Sequence, residues 1–184
     1  MSMAAGQTTP STAVDVEGRL EGREIHGDIV AALGLPLPAQ FANCNLRDTV
    51  WPTDVDISGL EFVDCDLSGA NWDGACGADI RIIATERGRS KIHGMSMRRA
   101  DLPGLTMVRV VGLRVDMTEA LVDDANIRYS SLMRLQATLL HGENAHFCTG
   151  TVMDESNWDR AICPGICFCD ASLTKSSLKN AVFC

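Results

Sequence analysis

The sequence predicts an all-β solenoid, because apolar side chains recur in it with a period of five residues. From Val55 to Asp154 the chain divides into twenty consecutive quintets, and the third position is a large apolar residue in fifteen of them. The first position of a quintet is never charged. This period matches neither the 3.6-residue turn of a helix nor the two-residue alternation of an ordinary strand. A short repeat of fixed length is typical of a solenoid.

Each quintet is predicted to form one wall of a square coil. The first and third residues of an extended segment share a face, so both side chains can point inward. The other positions are mostly Asp, Asn, Ser, Arg and Gly, which suit an exposed corner. Four walls close a coil of twenty residues, and adjacent coils pair as parallel strands. The chain is long enough for about seven coils, which make a rod of about 34 Å.

The frame extends to both ends of the repeat if two single-residue slips are allowed. One extra residue, Asp54, precedes Val55, and a second, Glu155, follows Asp154. With these slips all five Phe and all three Trp occupy the third position. The frame then predicts stacked side chains in neighbouring coils, namely Phe41 with Phe62, Trp51 with Trp72, Met97 with Met117, and Phe147 with Phe168.

Two quintets depart from the pattern. The quintet 85–89 has Arg87 at its third position, between Leu67 and Met107 in the predicted column. Burial of an unpaired arginine is very unfavourable, so we expect residues 85–90 to bulge outward as a short loop. The quintet that begins with Ala75 has Gly77 at its third position, and this lack of side-chain volume predicts a thin spot or a local bulge in the wall.

The N-terminal segment is predicted to cap the rod. Residues 1–13 are small and polar and are expected to be flexible, 14–38 form the cap, and 39–184 form the repeat. A helix over about 21–34 is predicted from apolar residues at helical spacing, which are Ile25, Ile29, Ala32 and Leu33. Gly34 and the following prolines would end this helix. A cap is needed because the first coil otherwise exposes an unpaired strand edge.

The C-terminal coil is predicted to expose a strand edge of its own. The repeat continues to the last residue, with Phe183 inward and no helix after it. An exposed edge favours pairing with a second copy, so we expect a homodimer through Leu173, Leu178 and Phe183. In the alternative the last coil frays or twists away.

Several quintets resemble the consensus of the pentapeptide-repeat family. The best matches are Cys65-Asp66-Leu67-Ser68-Gly69, Ala70-Asn71-Trp72-Asp73-Gly74 and Ala100-Asp101-Leu102-Pro103-Gly104. The resemblance implies a right-handed quadrilateral β-helix. Some members of this family imitate the shape and charge of duplex DNA, bind type II topoisomerases such as DNA gyrase, and protect against topoisomerase poisons. The family shares a fold rather than one function.

The net charge of −8 is unevenly distributed along the chain. Residues 48–79 hold eight acids and no base, residues 81–114 hold eight bases and two acids, and residues 115–159 hold eight acids and two bases. We call the first two segments the acidic segment and the basic belt. Aspartates at the second position, such as Asp56 and Asp66, are expected to support corners through backbone hydrogen bonds. The candidate partner-binding residues are Glu61, Asp64, Asp73 and Asp79 in the acidic segment, and Arg98 and Arg99 in the basic belt.

The cysteines and histidines predict no metal site and no cofactor. Cys44, Cys65 and Cys163 occupy inward positions and are expected in the core. Cys148 and Cys169 should be neighbours on one outer wall, at a separation that suits a disulfide. Because no secretory signal is recognised, we expect reduced thiols there instead. The run Cys163, Cys167, Cys169 has one cysteine pointing inward, which prevents tetrahedral convergence. The four histidines form no metal signature, and the sequence has no nucleophile elbow, phosphate loop or dinucleotide fingerprint.

The sequence therefore predicts a non-catalytic protein that binds a protein partner through the outside of a rod. The partner implied by the family resemblance is DNA gyrase or topoisomerase IV. The alternatives are a scaffold or secreted effector that presents the rod to another protein, and nucleic-acid binding through the basic belt. Nucleic acid is disfavoured because exposed aromatics do not accompany the arginines and the net charge is negative. No secretory signal or membrane span is recognised, so we expect a cytoplasmic protein without a membrane partner.

Overall fold

The computed structural model describes residues 18–184, which form a β-helix with parallel pairing between successive coils. Residues 1–17 lie outside the described part, and with them the segment 1–13 and the first four residues of the predicted cap. The elements are β1 Arg19–Glu21, β2 Gly27–Asp28, α1 Ile29–Leu33, β3 Gln40–Ala42, β4 Thr49–Val50, β5 Glu61–Val63, β6 Arg81–Ile83, β7 Ser90–Lys91, β8 Thr106–Val108, β9 Val110–Leu113, β10 Asn126–Arg128, β11 Ser131–Met133 and β12 His146–Cys148.

The coils stack into four walls, which we number in the order in which the chain reaches them. Wall 1 is a seven-stranded sheet in the order β1-β3-β5-β6-β8-β10-β12. Wall 2 contains β11, β9 and β7, and wall 3 contains β2 and β4. Wall 4 consists of single parallel bridges, such as Asp101 with Leu121. Because each coil bonds to the coils above and below it, the backbone groups are paired without long strands. The predicted all-β solenoid with square coils is confirmed.

The interior is filled by the third-position side chains, stacked as the frame predicts. Phe41 lies in register with Phe62, and their ring centroids are 5.1 Å apart. The rings of Trp51 and Trp72 are 5.3 Å apart. Farther along the rod the Phe147 and Phe168 rings are 6.1 Å apart, and the bridge that joins Ser96 to Asp116 places the next residues, both methionines, in adjacent coils.

The predicted helix over 21–34 is wrong in length. The helix comprises only Ile29–Leu33, between the N-cap Asp28 and Gly34, whose N–H bonds to Val30. The preceding residues belong to the first coil, because β1 pairs with β3 and β2 pairs with β4. Ile25, which contributed to the apolar helical spacing, is buried in the solenoid core instead. Parallel pairing over many residues outweighs a weak local helical preference. Square-coil structure thus begins before Ala39, within the segment assigned to the cap.

The second slip lies earlier than predicted. Val152, expected inside, is an outer residue that bridges Ser131 and Ser172, whereas Met153 is fully buried. The extra residue is therefore accommodated near Thr149 and Gly150, which both have positive φ, and not at Glu155. Local sequence did not locate the slip, because Val152 and Met153 are both apolar and either could have filled the interior.

The predicted outward loop is confirmed, and it changes which residues are stacked in the coils that follow it. Residues 85–89 leave the wall with Arg87 exposed, and the bridge from Asp66 to Lys91 places Ile92 next to Leu67. This coil therefore has twenty-five residues, so the predicted column of Leu67, Arg87 and Met107 is wrong. Met107 instead lies beside Ile82 in wall 1. Burial of Arg87 would be too unfavourable, and the chain avoids it by moving the whole quintet 85–89 out of the wall rather than the arginine side chain alone.

The thin spot predicted at Gly77 lies in wall 4. The Gly77 backbone is so close to the previous coil that a Cβ there would be 2.7 Å from Ile57 Cγ1 and 2.8 Å from the Ile57 carbonyl carbon. Outside it lies a shallow depression of about 380 Å³ whose lining includes Cys76, Ala78 and Asp101. The wall has moved inward to fill the volume that a side chain would otherwise occupy.

One buried indole lacks the hydrogen bond that its two counterparts make. Trp51 Nε1 donates to Thr49 Oγ1 at 3.0 Å, two residues before it in the same quintet. Trp158 makes the equivalent bond to Ser156 Oγ at 2.9 Å. The third indole, Trp72 Nε1, is buried with no partner within residues 18–184, because the equivalent first position is Ala70.

We predict that Ala70→Ser stabilises the protein by about 1 kcal/mol, since the new hydroxyl would accept from the unsatisfied indole N–H. Denaturant unfolding of the variant and the parent measures the difference. Ala100→Ser is the matched control, because Ala100 is also a buried first-position alanine but is followed by Leu102, which has no N–H to satisfy. Equal effects of the two substitutions would contradict the prediction.

Candidate protein-interaction site

The four predicted acidic residues do not form one surface. Glu61 projects from wall 1 in β5, and Asp64 lies at the corner that follows it. Asp73 follows wall 3, at the corner diagonally opposite, and Asp79 lies between wall 4 and wall 1. The acidic segment therefore surrounds the rod instead of covering one side of it.

Asp64 holds the inserted loop in place. Its carboxylate accepts from Thr85 N at 2.8 Å and from Thr85 Oγ1 at 2.7 Å, while Gly88 N donates to the same hydroxyl at 3.0 Å. A Cβ at Gly88 would overlap the Asp64 carboxylate, so the loop packs directly on this residue. Asp64 was predicted to bind a partner, and in the structure its carboxylate holds the loop.

Asp73, Arg98 and Arg99 come together at one corner. Asp73 Oδ1 accepts from Arg98 N at 3.0 Å and also from the Ser96 hydroxyl. With Gly74, these three residues line a small hollow of about 280 Å³. Three of the six predicted partner-binding residues are therefore adjacent, although acids and bases had been assigned to separate regions.

Most carboxylates of the acidic segment keep their charge uncompensated. Asp56 accepts from Ser58 Oγ at 2.5 Å and from Ser58 N at 2.9 Å, as expected for a second-position aspartate. These bonds, first the hydroxyl and then the backbone N–H, hold the pKa of Asp56 below its ordinary value. Only Glu61, 3.0 Å from Arg81, and Asp66, 3.6 Å from Lys91, form ion pairs within the described part of the segment.

Two later aspartates make the same kind of bond across coils. Asp154 accepts from the Ser172 hydroxyl at 2.6 Å, and Asp159 accepts from the Ser177 hydroxyl. These serine bonds are the main reason that the pKa of each aspartate is lowered. Corner aspartates thus link neighbouring coils while remaining ionised.

We predict that stability falls on acidification below about pH 4. A carboxyl with a folded-state pKa below its unfolded value of 3.8 stabilises the fold fully above that value and loses its contribution as pH falls through the folded pKa. Melting temperatures measured between neutral and strongly acid pH test this. The acid-side loss should be smaller in the triple variant Asp56→Asn, Asp154→Asn, Asp159→Asn, and an unchanged slope would contradict the assignment.

The basic belt is partly neutralised by its neighbours. Arg99 Nε donates to Glu119 Oε2 at 2.8 Å, and Arg98 Nε is 3.8 Å from Asp116. The Arg109 guanidinium lies 6.0 Å from the centroid of the Tyr129 ring. Such exposed pairs add little stability, but they reduce the positive potential available to a polyanion.

The three predicted dimer residues remain partly exposed in the last coil. Leu178 is 43% exposed, and Leu173 and Phe183 are half-buried against the core. The Phe183 ring contacts that of Phe168, with centroids 5.5 Å apart. These side chains therefore present the end of the core as an apolar surface.

An apolar stripe on wall 4 was not recognised in the sequence. Leu121, His141, Ile162 and Val182 are bridged in succession, one from each coil. All four are exposed, and all but His141 are apolar. The sequence contained a sign of this stripe, because these residues occupy second positions, where the repeat normally has Asp, Asn or Ser. We call these residues the wall 4 stripe. Contiguous exposed apolar side chains of this kind are typical of protein contacts.

The buried cysteines lie where the frame placed them. Cys44, Cys65 and Cys163 are in the core, and burial raises the pKa of Cys163 to about 12. The pairing of His146 with Cys167 puts Cys148 and Cys169 at equivalent positions of adjacent coils on wall 1. All eight cysteines carry free thiols.

Within residues 18–184, no helix has the length and apolar character needed to cross a membrane.

No protein-family model and no curated protein matches the sequence. Solved structures match in fold. Full-length QnrB1, described as a plasmid-mediated fluoroquinolone resistance protein, superposes with a TM-score of 0.56 at 14% identity, over 90% of this chain and 86% of that chain. HetL, a pentapeptide repeat protein involved in heterocyst differentiation regulation from the cyanobacterium Nostoc sp. strain PCC 7120, matches at a TM-score of 0.38 and 18% identity, over 89% and 86% of the two chains. Rfr23, a pentapeptide repeat protein from the cyanobacterium Cyanothece 51142, matches at 0.20 and 12%, over 91% and 89%.

Proposed function

We propose, from the premise that this chain has the quadrilateral β-helix fold of pentapeptide-repeat proteins, that it is a non-catalytic protein that binds a type II topoisomerase such as DNA gyrase. The proposed mode is imitation of duplex DNA by the acidic segment. The observation that carries this proposal is the density of uncompensated carboxylates around the rod.

The charge density of the acidic segment is comparable with that of DNA. Residues 48–79 hold eight acids and no base. At twenty residues per coil they occupy about 8 Å of the rod axis. The six that form no ion pair therefore give about one negative charge per 1.3 Å. Duplex DNA has one charge per roughly 1.7 Å of axis. Because the acids lie on several walls and corners, the negative potential surrounds the rod, as it surrounds a duplex.

The carboxylates are also held in fixed positions. Asp56 and Asp64 bond to hydroxyl and backbone N–H groups, which orient them without cancelling their charge. A preorganised array of charges loses little entropy when a basic groove binds it. The fold shared with QnrB1, a plasmid-mediated fluoroquinolone resistance protein, supports the same hypothesis.

A homodimer through the last coil belongs to this proposal. Contact between the surfaces formed by Leu173, Leu178 and Phe183 of two copies would bury these side chains and lengthen the rod. Light scattering after size exclusion should give the mass of a dimer, and Leu178→Glu should give a monomer. Val50→Glu, which changes a comparably exposed apolar residue on wall 3, should leave the dimer intact, and a monomeric parent protein would refute this part.

Charge reversal tests the topoisomerase hypothesis. Within the described chain the carboxylates of Asp54 and Asp79 accept no hydrogen bond, so Asp54→Lys with Asp79→Lys changes the charge without removing a hydrogen bond. The double variant should bind gyrase at least about tenfold more weakly, and binding by the parent should weaken with salt. The control pair, Glu86→Lys with Asp101→Lys, makes the same change of charge in the basic belt and should retain binding. A parent protein without effect on supercoiling, with and without a quinolone, would end this hypothesis.

A scaffold, adaptor or secreted effector is the second candidate, and the wall 4 stripe favours it. Under this hypothesis a protein partner unrelated to DNA topology covers Leu121, Ile162 and Val182, and Ile162→Asp releases that partner while the Asp54 and Asp79 substitutions do not.

Nucleic-acid binding through the basic belt is the third candidate. It predicts retention on heparin that is lost in Arg98→Glu with Arg99→Glu, but the ion pairs of both arginines weigh against it.

A further inference from the structure

Four potential metal ligands meet on the outside of wall 1. His146-Phe147-Cys148 and Cys167-Phe168-Cys169 lie in adjacent coils, with His146 bridged to Cys167. The two phenylalanines point inward and contact each other. Because side chains alternate along extended chain, the residues on either side of each phenylalanine point outward together. The result is a square of one imidazole and three thiols.

The ligand atoms are already close together. Those of His146, Cys148 and Cys167 all lie within 4.8 Å of one another. The Cys169 Sγ is 3.0 Å from the Cys167 Sγ. A tetrahedral site with zinc–sulfur bonds of about 2.3 Å has ligand atoms about 3.8 Å apart. His146, Cys148 and Cys167 thus already lie close to this spacing, and Cys169, which contacts only Cys167 of the three, must move toward the other two to complete a set of four. Within residues 18–184 no other group of three such ligands is this compact.

The chemistry of the surroundings suits a thiolate-bound cation. Three thiolates and one neutral imidazole around Zn²⁺ carry a net charge of −1, and Arg128 stands beside Cys148 in the previous coil. The Cys169 N–H points at the Cys167 Sγ at 3.5 Å, as a donor that would stabilise a thiolate. Soft sulfur ligands favour zinc over the harder magnesium or calcium ions.

We infer that His146, Cys148, Cys167 and Cys169 bind one Zn²⁺ in a tetrahedral Cys₃His site that joins the last two coils. A site made of Cys163, Cys167 and Cys169 is not possible, because Cys163 is buried in the core. Its place is taken by two residues from the previous coil, one coil length earlier in the chain. The inference is independent of the topoisomerase hypothesis.

The site should act as a clip at the C-terminal end of the rod. The last coil has no following coil within the described chain, and many of its side chains are partly exposed. A metal that binds the folded state and not the unfolded chain stabilises that fold. Zinc would therefore hold residues 167–169 against β12 and order the coil that contains the proposed dimer surface.

Metal titration of the reduced, metal-free protein tests the inference. Cobalt should give the visible and near-ultraviolet bands of tetrahedral thiolate coordination, saturating at one ion per chain, and zinc should displace it. Zinc should also slow amide hydrogen exchange in residues 164–184. Absence of these cobalt bands from fully reduced protein, with eight free thiols by titration, would overturn the inference.

Single-ligand variants identify the site. Cys148→Ser and Cys169→Ser should each weaken zinc binding by roughly a hundredfold. Cys76→Ser, at an exposed cysteine on wall 4, is the control and should bind as the parent does. Native mass spectrometry reports folding and bound zinc together, so a variant that fails to fold is recognised. A Cys148–Cys169 disulfide that persists in place of metal would refute the site.

Discussion

Replacement of Phe62 by alanine is expected to destabilise the protein by about 3–5 kcal/mol. Phe62 is fully buried, and its ring centroid lies 5.1 Å from that of Phe41, 5.5 Å from that of Trp51 and 5.4 Å from that of Trp72. Truncation removes buried apolar area and three aromatic contacts, and it leaves a cavity. Neighbouring coils are fixed by backbone pairing, so the cavity collapses little. Equilibrium unfolding in denaturant measures the loss.

The control for Phe62 is an aromatic ring outside the core. Tyr129 is 55% exposed at a corner, and Tyr129→Ala should change stability by less than about 1 kcal/mol. If Phe62→Ala destabilised the protein no more than Tyr129→Ala does, Phe62 would not lie in the interior of the four-walled tube. If tryptophan fluorescence showed two unfolding transitions with different midpoints, the two ends of the rod would be shown to unfold separately.

Gly77→Ala is the second substitution with a large expected effect, a destabilisation of about 1–3 kcal/mol. An added Cβ would lie 2.7 Å from Ile57 Cγ1, 2.8 Å from the Ile57 carbonyl carbon and 2.9 Å from Ser58 N. The isoleucine side chain can move, but the backbone of the previous coil is held by its own hydrogen bonds. The wall must therefore shift outward. Thermal and denaturant unfolding both report the cost.

Gly142→Ala is the matched control, because Gly142 also occupies the inward position of wall 4. There the nearest contact for a Cβ is Val122 Cγ2 at 3.1 Å, a flexible side-chain atom. The expected cost is less than about 1 kcal/mol. A second test is the pair Ile57→Ala with Gly77→Ala. Rescue of the glycine variant by removal of the isoleucine side chain would show that the backbone contact is not the cause.

The candidate surfaces were only partly predictable, because the sequence frame assigns side chains to the inside or the outside but not to partners. Asp64 was identified as an exposed acid, yet its role in holding the loop depends on Thr85, twenty-one residues later. The wall 4 stripe and the Cys₃His cluster both follow from the coil length. Cys148 and Cys169 were predicted to be neighbours, but the wall 4 stripe and the places of His146 and Cys167 in the cluster become clear only when whole coils are aligned.

The sequence by itself determined the wall-building unit of this protein. A five-residue period is a local property, and only a square coil can bury every first and third side chain while placing the polar remainder at corners. That is why the stacks of Phe41 on Phe62 and Trp51 on Trp72 were correct. Only the tertiary structure decided where coils gain residues: at the excluded loop 85–89, near Gly150, and in the first coil where a helix was expected. Coil length is set by pairing between whole coils, a sum of many weak contacts that no single quintet contains.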